Sequence, residues 1–169
     1  MKLQNLTIII FILTGLIAHS QEQLLGHINS QDIISIMPEA ATAQIELQQE
    51  LENLQEQGKM MASEYESQLK DFQINQENMS DAIRNDKLKS LQDLEERITL
   101  FQQSAQQSIQ LKEAELFEPI LKKIQSAIDD VSKEKGYSYV FDIGGNVGNL
   151  VYHNNSHDIT NMVKSKLNL

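Results

Sequence analysis

The chain has 169 residues, no cysteine, no tryptophan and a formal net charge of −10. That charge excludes capture of nucleic acid or anionic lipid by electrostatics, and the lack of cysteine excludes a disulfide framework and a lipidated N-terminal thiol. With the first twenty residues set aside, the rest suffices for one small core plus an extension, not for two cores.

Met1 to Ser20 reads as a targeting segment. Lys2 gives a positive start, Leu6 to Ile17 an apolar run, and Ala18-His19-Ser20 a small-x-small site before Gln21. The run is shorter than the about 20 residues a membrane span needs. A secretory signal cleaved near Ser20/Gln21 is therefore expected, with an uncleaved anchor as the alternative. Loss of Lys2 takes the mature net charge to −11.

Leu24, Gly26 and Ile28 alternate with their neighbours, which predicts a strand over Leu24–Asn29. Ser30 is then expected to cap a short helix, Gln31 to Met37, with Ile33, Ile34 and Met37 as its apolar patch. Pro38 ends that helix and suits the first position of the next one.

From Glu39 to Lys135 the pattern is that of two long amphipathic helices folded back on each other. Leu47, Leu51, Leu54, Met61, Tyr65 and Leu69 or Phe72 form one apolar seam, broken once at Gly58. Leu91, Leu94, Ile98, Phe101 and Ala105 form the other. Around each seam nearly everything is polar, so each helix needs a partner. Polar residues crowd between Phe72 and Leu88, and Ser80-Asp81 is a helix-start signal, which places the hairpin tip near 75–80. One uninterrupted helix in an extended coiled coil is the alternative. At about 1.5 Å per residue, arms of roughly 35 to 50 residues would reach about 50 to 75 Å. Pro119 predicts a kink near Glu118, beyond which Ile120, Ile124, Ala127, Ile128 and Val131 widen the seam to a stripe that should pack on the body. Lys133-Glu134-Lys135-Gly136 is a helix stop.

Tyr137–Asp142 then reads as a buried strand, 144–149 as a turn and Leu150–Tyr152 as a second strand, together a hairpin. Ser156 or Asp158 is expected to start a last helix carrying Ile159, Met162, Val163 and Leu167. A body so thin at the root of so long a hairpin is expected to assemble with copies of itself.

No catalytic constellation is present. The 144–149 loop lacks Gly-Lys-Ser/Thr and joins two expected strands, so it is no phosphate loop. His153 and His157 stand four apart without a third ligand, and Asp32, His27 and the serines form no nucleophile and base pair. No metal or cofactor is expected. Met60, Met61 and Met79, with Tyr65, Phe72 and Ile74, are the candidate contacts for unfolded partners, methionine being suited to irregular apolar surfaces; for Met61 and Tyr65 a place in the seam is the competing reading. Twenty acidic and eleven basic residues between Glu39 and Lys135 leave the arms at −9, a solvated surface able to keep a flexible arm soluble.

Several motifs together resemble the Skp/OmpH family. They are the Gly-His-Ile-Asn-Ser strand at 26–30, Met37-Pro38-Glu39, Phe117-Glu118-Pro119-Ile120, Lys135-Gly136-Tyr137, Tyr139-Val140-Phe141-Asp142 and Asp158-Ile159-Thr160. The resemblance covers Gln21 to Leu169. It implies an α+β, mostly α fold: a long antiparallel helical hairpin, a coiled-coil tentacle, on a small β-body that trimerises into a central barrel. It also implies an ATP-independent periplasmic holdase chaperone, not an enzyme, whose homotrimer encloses unfolded outer-membrane proteins. The expected division is 1–20 signal peptide, 21–38 first part of the β-body, 39–135 arm and 136–169 second part of the β-body. Leu25, Ile28, Tyr139, Val140, Phe141, Leu150 and Tyr152 are the candidates for the oligomerising body. The best-known members have basic arms and these arms are acidic, so binding of lipopolysaccharide is not carried over. An extracytoplasmic coiled-coil adaptor for one folded envelope partner is the rival function.

Overall fold

The computed structural model describes residues 23–145, 150 and 152–169. The expected signal segment, residues 146–149 of the glycine loop and Val151 lie outside the described residues.

Strand β1, Leu24–Ile28, leads into helix α1, Ser30–Ile34. Helix α2, Pro38–Asn75, and helix α3, Asp81–Lys135, form the hairpin, joined by one 3-10 turn at Gln76–Asn78. Strand β2, Tyr137–Asp142, and a short helix α4, Thr160–Lys166, complete the root. At about 1.5 Å per residue, the 38 residues of α2 extend about 57 Å.

The sheet has two strands in parallel, Leu25 paired with Tyr139 and Ile28 with Asp142. A parallel pair needs a crossover connection, and here the whole arm is that crossover. The expected hairpin of Tyr137–Asp142 with Leu150–Tyr152 is therefore corrected: β2 pairs with the distant β1, and Leu150 and Tyr152 are in neither strand nor helix. The chain after the loop instead returns to the opposite edge of β1, where Asp158 makes a single parallel bridge with His27 and the Ile159 N–H donates to the His27 carbonyl at 3.0 Å.

Two helix starts differ from expectation because side-chain oxygens compete for them. Asn29, not Ser30, caps α1, its Oδ1 accepting the Asp32 N–H at 3.2 Å, while the Ser30 hydroxyl donates to Asp142. Helix α4 begins at Thr160 rather than Ser156 or Asp158. Asn155–His157 form a 3-10 turn, and the Asp158 carboxylate accepts both the N–H and the hydroxyl of Thr160, at 2.8 and 2.5 Å.

The core lies at the junction of arm and root. Ile28, Ile33, Met37, Ala40, Ala43, Ile120, Ile124, Ala127, Val131, Ile159 and Val163 are buried together there, which is where the stripe on α3 broadens. Pro38 opens α2, and α3 continues through Pro119 as a single helix. Gly136 ends α3 at φ 76° with its N–H on the Ser132 carbonyl, the left-handed stop that glycine accepts without strain. Lys166 on α4 binds Glu134 at 2.6 Å and Asp130 at 3.7 Å, tying the last helix to the end of α3.

Candidate functional site

The arms are held in register at three levels. Near the root Lys123 meets Glu39 at 2.5 Å; near the tip Lys87 meets Asp71 at 3.8 Å. Midway, the Phe101 ring lies 3.3 Å from where a Cβ on Gly58 would stand, so the break in the first seam is the seat of an aromatic from the second. Lys123 donates to the Glu39 carboxyl and holds it below the usual range, with the adjacent positive charge assisting. Both groups are exposed, so the pair sets register more than stability.

Arg84 organises the tip. Its guanidinium donates to the Gln76 carbonyl at 3.2 and 3.3 Å and to the Met79 carbonyl at 3.3 Å, and pairs with Asp81 at 3.4 Å. It thereby ties the carbonyls of the turn to the first turn of α3. The Ser80 hydroxyl accepts the Ile83 N–H at 3.4 Å as the cap of α3. The sequence reading found Ser80 but missed Arg84; an arginine one turn into a helix after a polar turn is its only signal.

The partner-contact candidates divide. Phe72, 8% exposed, is interior to the hairpin, in the seam place the periodicity also offered it and not on the surface. Met61 and Tyr65 are half-buried, as is Met79 at the tip. Met60 and Ile74 stand outside, 59% and 66% exposed. Ile45, Leu100, Leu111 and Leu121 are also exposed along the arms, and sequence reasoning passed over them because they fall off the seam.

The root candidates divide as well. Ile28, 1% exposed, belongs to the core of the single chain and not to its open surface, and Val140 packs against that core. Leu25, Tyr139 and Phe141 share the other side of the sheet, exposed, with Leu150 and an 82% exposed Tyr152 beside it. Leu25, His27, Phe141, Leu150, Tyr152, His153 and His157 line a cleft of about 260 Å³ on this face. His27 is buried, its ring 4.4 Å from that of His153, and its Nε2 meets no partner among the described residues. Among the described residues no group of three His, Cys, Asp or Glu is arranged to hold a metal ion.

Two carboxylates brace the root. Burial pushes Asp142 up, but the Ser30 hydroxyl and the N–H groups of Gly144 and Ser30 outweigh it and hold the carboxyl below its ordinary value. Burial likewise raises Asp158, and the bonds from Thr160 with the nearby His27 and His153 bring it below. Gly144 sits so close over the start of α1 that an added Cβ would meet the side chain of Asn29 and the N–H groups of Gln31 and Ser30. That glycine is there for close packing.

A family profile given as Outer membrane protein (OmpH-like) matches residues 25–167. The chain belongs to the OmpH-like family. Its fold is similar to the crystal structure of a candidate outer membrane chaperone (OmpH-like) from Caulobacter crescentus CB15, with a TM-score of 0.70 and 12% identity, over 86% of this chain and 83% of that one. No curated protein matches the sequence. The OmpH-like hairpin on a small sheet is thus shared with a protein of very different sequence. Among the described residues no helix of this OmpH-like chain is long and apolar enough to cross a membrane.

Proposed function

We propose that this OmpH-like chain is an exported, ATP-independent holdase chaperone that binds unfolded outer-membrane and other envelope proteins in the periplasm and prevents their aggregation. The observation that carries the reading is the hairpin itself. Two helices of 38 and 55 residues share a seam too narrow to cover their apolar residues, leaving Met60, Ile74, Leu100 and Leu111 exposed along an acidic, soluble arm. Many weak apolar contacts on such an arm hold an unfolded chain without fuel, and several arms around one client raise the effective concentration of each. The proposed segmentation is a signal peptide over 1–20, a β-body built from 21–38 and 136–169, and the arm over 39–135.

The root supports assembly as a homotrimer. Among the described residues β2 has no second strand neighbour, and an open edge beside exposed Leu25, Tyr139, Phe141 and Tyr152 is a surface that proteins cover. Strands from three copies would cover it in one small barrel. Two measurements test the proposal. Light scattering of a urea-denatured outer-membrane β-barrel protein, diluted with and without equimolar trimer, should fall when the trimer is present; unchanged scattering would overturn the chaperone reading. The solution mass should be three times that of the chain.

A further inference from the structure

The middle of the arm carries a groove between its two helices. Leu54, Gly58, Phe101, Gln102, Ala105 and Ile109 are among the residues that line a groove of about 490 Å³ between α2 and α3. Its origin is local. Gly58 and Ala105 place small residues in the lining beside Phe101, whose ring packs over Gly58.

The groove is set apart by its lack of charge. Grooves nearer the root include Glu113, Glu118 and Lys122 in one case and Glu39, Glu46 and Lys123 in another. The mid-arm lining is Leu, Ile, Phe, Ala, Gly and Gln alone. On α3 this reflects the run from Ile98 to Leu111, which carries no ionisable residue although the chain is 22% charged. A neutral lining in a chain of net −10 fits a neutral occupant, since a charged one would be desolvated there without a counter-charge.

The polar part of the lining has a period. Gln102, Gln106 and Gln110 line the groove at four-residue steps, about 6 Å apart along the helix at about 1.5 Å per residue. An extended strand presents main-chain groups on one side at every second residue, about 6.6 Å apart. Each carboxamide both donates and accepts, as each exposed pair of main-chain groups on an unpaired strand requires. Gln48 and Gln68 bond to Glu52 and Glu64 four residues away; Gln102, Gln106 and Gln110 have no acidic residue four positions to either side.

We infer that the mid-arm groove binds a segment of client in extended conformation, its alternate apolar side chains placed against Phe101, Ala105 and Ile109 and its unpaired main-chain edge along the Gln102/Gln106/Gln110 ladder. The occupant is the uncharged, alternately apolar strand of an unfolded outer-membrane β-barrel. Recognition runs through the backbone, neutrality and an alternating apolar pattern, so it needs no particular sequence beyond that pattern. The inference rests on the chaperone reading and assigns that function a place on the arm.

The test compares two double variants with equal charge. Gln102→Glu with Gln106→Glu places two carboxylates in the groove; Gln103→Glu with Gln107→Glu places two on the same helix outside its lining. Glutamine and glutamate have nearly equal helix propensity, so circular dichroism should be unchanged in both. Binding is read with a urea-denatured outer-membrane β-barrel protein as client, at pH 7. The groove variant should bind about tenfold more weakly, equivalent to about 1.4 kcal/mol, and the control as the parent does. Equal weakening of both doubles, or of neither, would overturn the groove while leaving the scattering assay to decide the chaperone reading; failure of the parent to bind would overturn both. A second probe isolates the main-chain component: an alternating valine–threonine peptide should compete for the site and its alternately N-methylated form should not. Equal competition by the two would overturn the glutamine ladder.

Discussion

Single residues at the root hold ends that the helices and strands cannot close themselves. Asp142 accepts from Ser30 and Gly144, and Asp158 from Thr160, so each carboxylate is a brace only while ionised. Both have folded-state values below their ordinary ones. Their contribution is therefore complete above the unfolded carboxylate range of about 4 and is lost as pH falls through the lower folded values. Urea melts at fixed chain concentration should show stability falling below about pH 4, and Asp142→Asn with Asp158→Asn should flatten that fall. Gly136 is a second case: its φ is 76° with nothing within 4 Å of an added Cβ. Gly136→Ala should thus cost only backbone strain, about 1 to 2 kcal/mol, and Gly136→Asn less, as thermal melts at one concentration would register. Neither brace was legible in the sequence. Asp142 lay inside an expected strand and Asp158 at an expected helix start, and which oxygen wins a local amide is settled by tertiary placement.

At the level of elements, what could be read followed the range of the interaction. The arms were legible because a seam repeats every three or four residues in one helix and demands the same of its partner, and Phe101 against Gly58 gives the apparent flaw in that seam a purpose. The β-body was not. Leu150–Tyr152 looked like the partner of Tyr137–Asp142 because it is near in sequence, whereas the true partner, Leu24–Ile28, lies across the whole arm and leaves no local sign. Exposure along the arms was legible in part: Met60 and Ile74 stand outside, Phe72 takes the seam place that the periodicity also offered it, and Leu100 and Leu111, off the seam, gave no signal. The tip carries its own prediction. Because Arg84 binds carbonyls of Gln76 and Met79 from the first turn of α3, Arg84→Ala should speed amide exchange around residues 76–84. The core melt should hardly move, since local opening at an exposed end is independent of the global transition.

For the molecule as a whole, the single chain leaves one side of its sheet unfinished. Leu25, Tyr139, Phe141 and Tyr152 are exposed where the core residues Ile28, Ile159 and Val163 are not. If the proposed homotrimer closes over this side, Phe141→Glu should leave helical content unchanged and lower the solution mass to that of a single chain, as sedimentation equilibrium would show. Retention of the trimer mass would place the contact elsewhere. The parallel pairing of β1 with β2 through the arm has one more consequence. Closing a loop costs only about 0.6 kcal/mol for each doubling of its length, and once the seam has zipped, the distance between Ile28 and Tyr137 is set by the helix ends and not by how far the hairpin reaches. Reach is thereby nearly uncoupled from the thermodynamics of the root. Excising Met61–Ser67 together with Gln92–Ile98, one heptad from each limb, should leave the melt almost where it was while shrinking the volume that the proposed trimer would enclose, so that cargo size would become an adjustable property of an otherwise fixed scaffold.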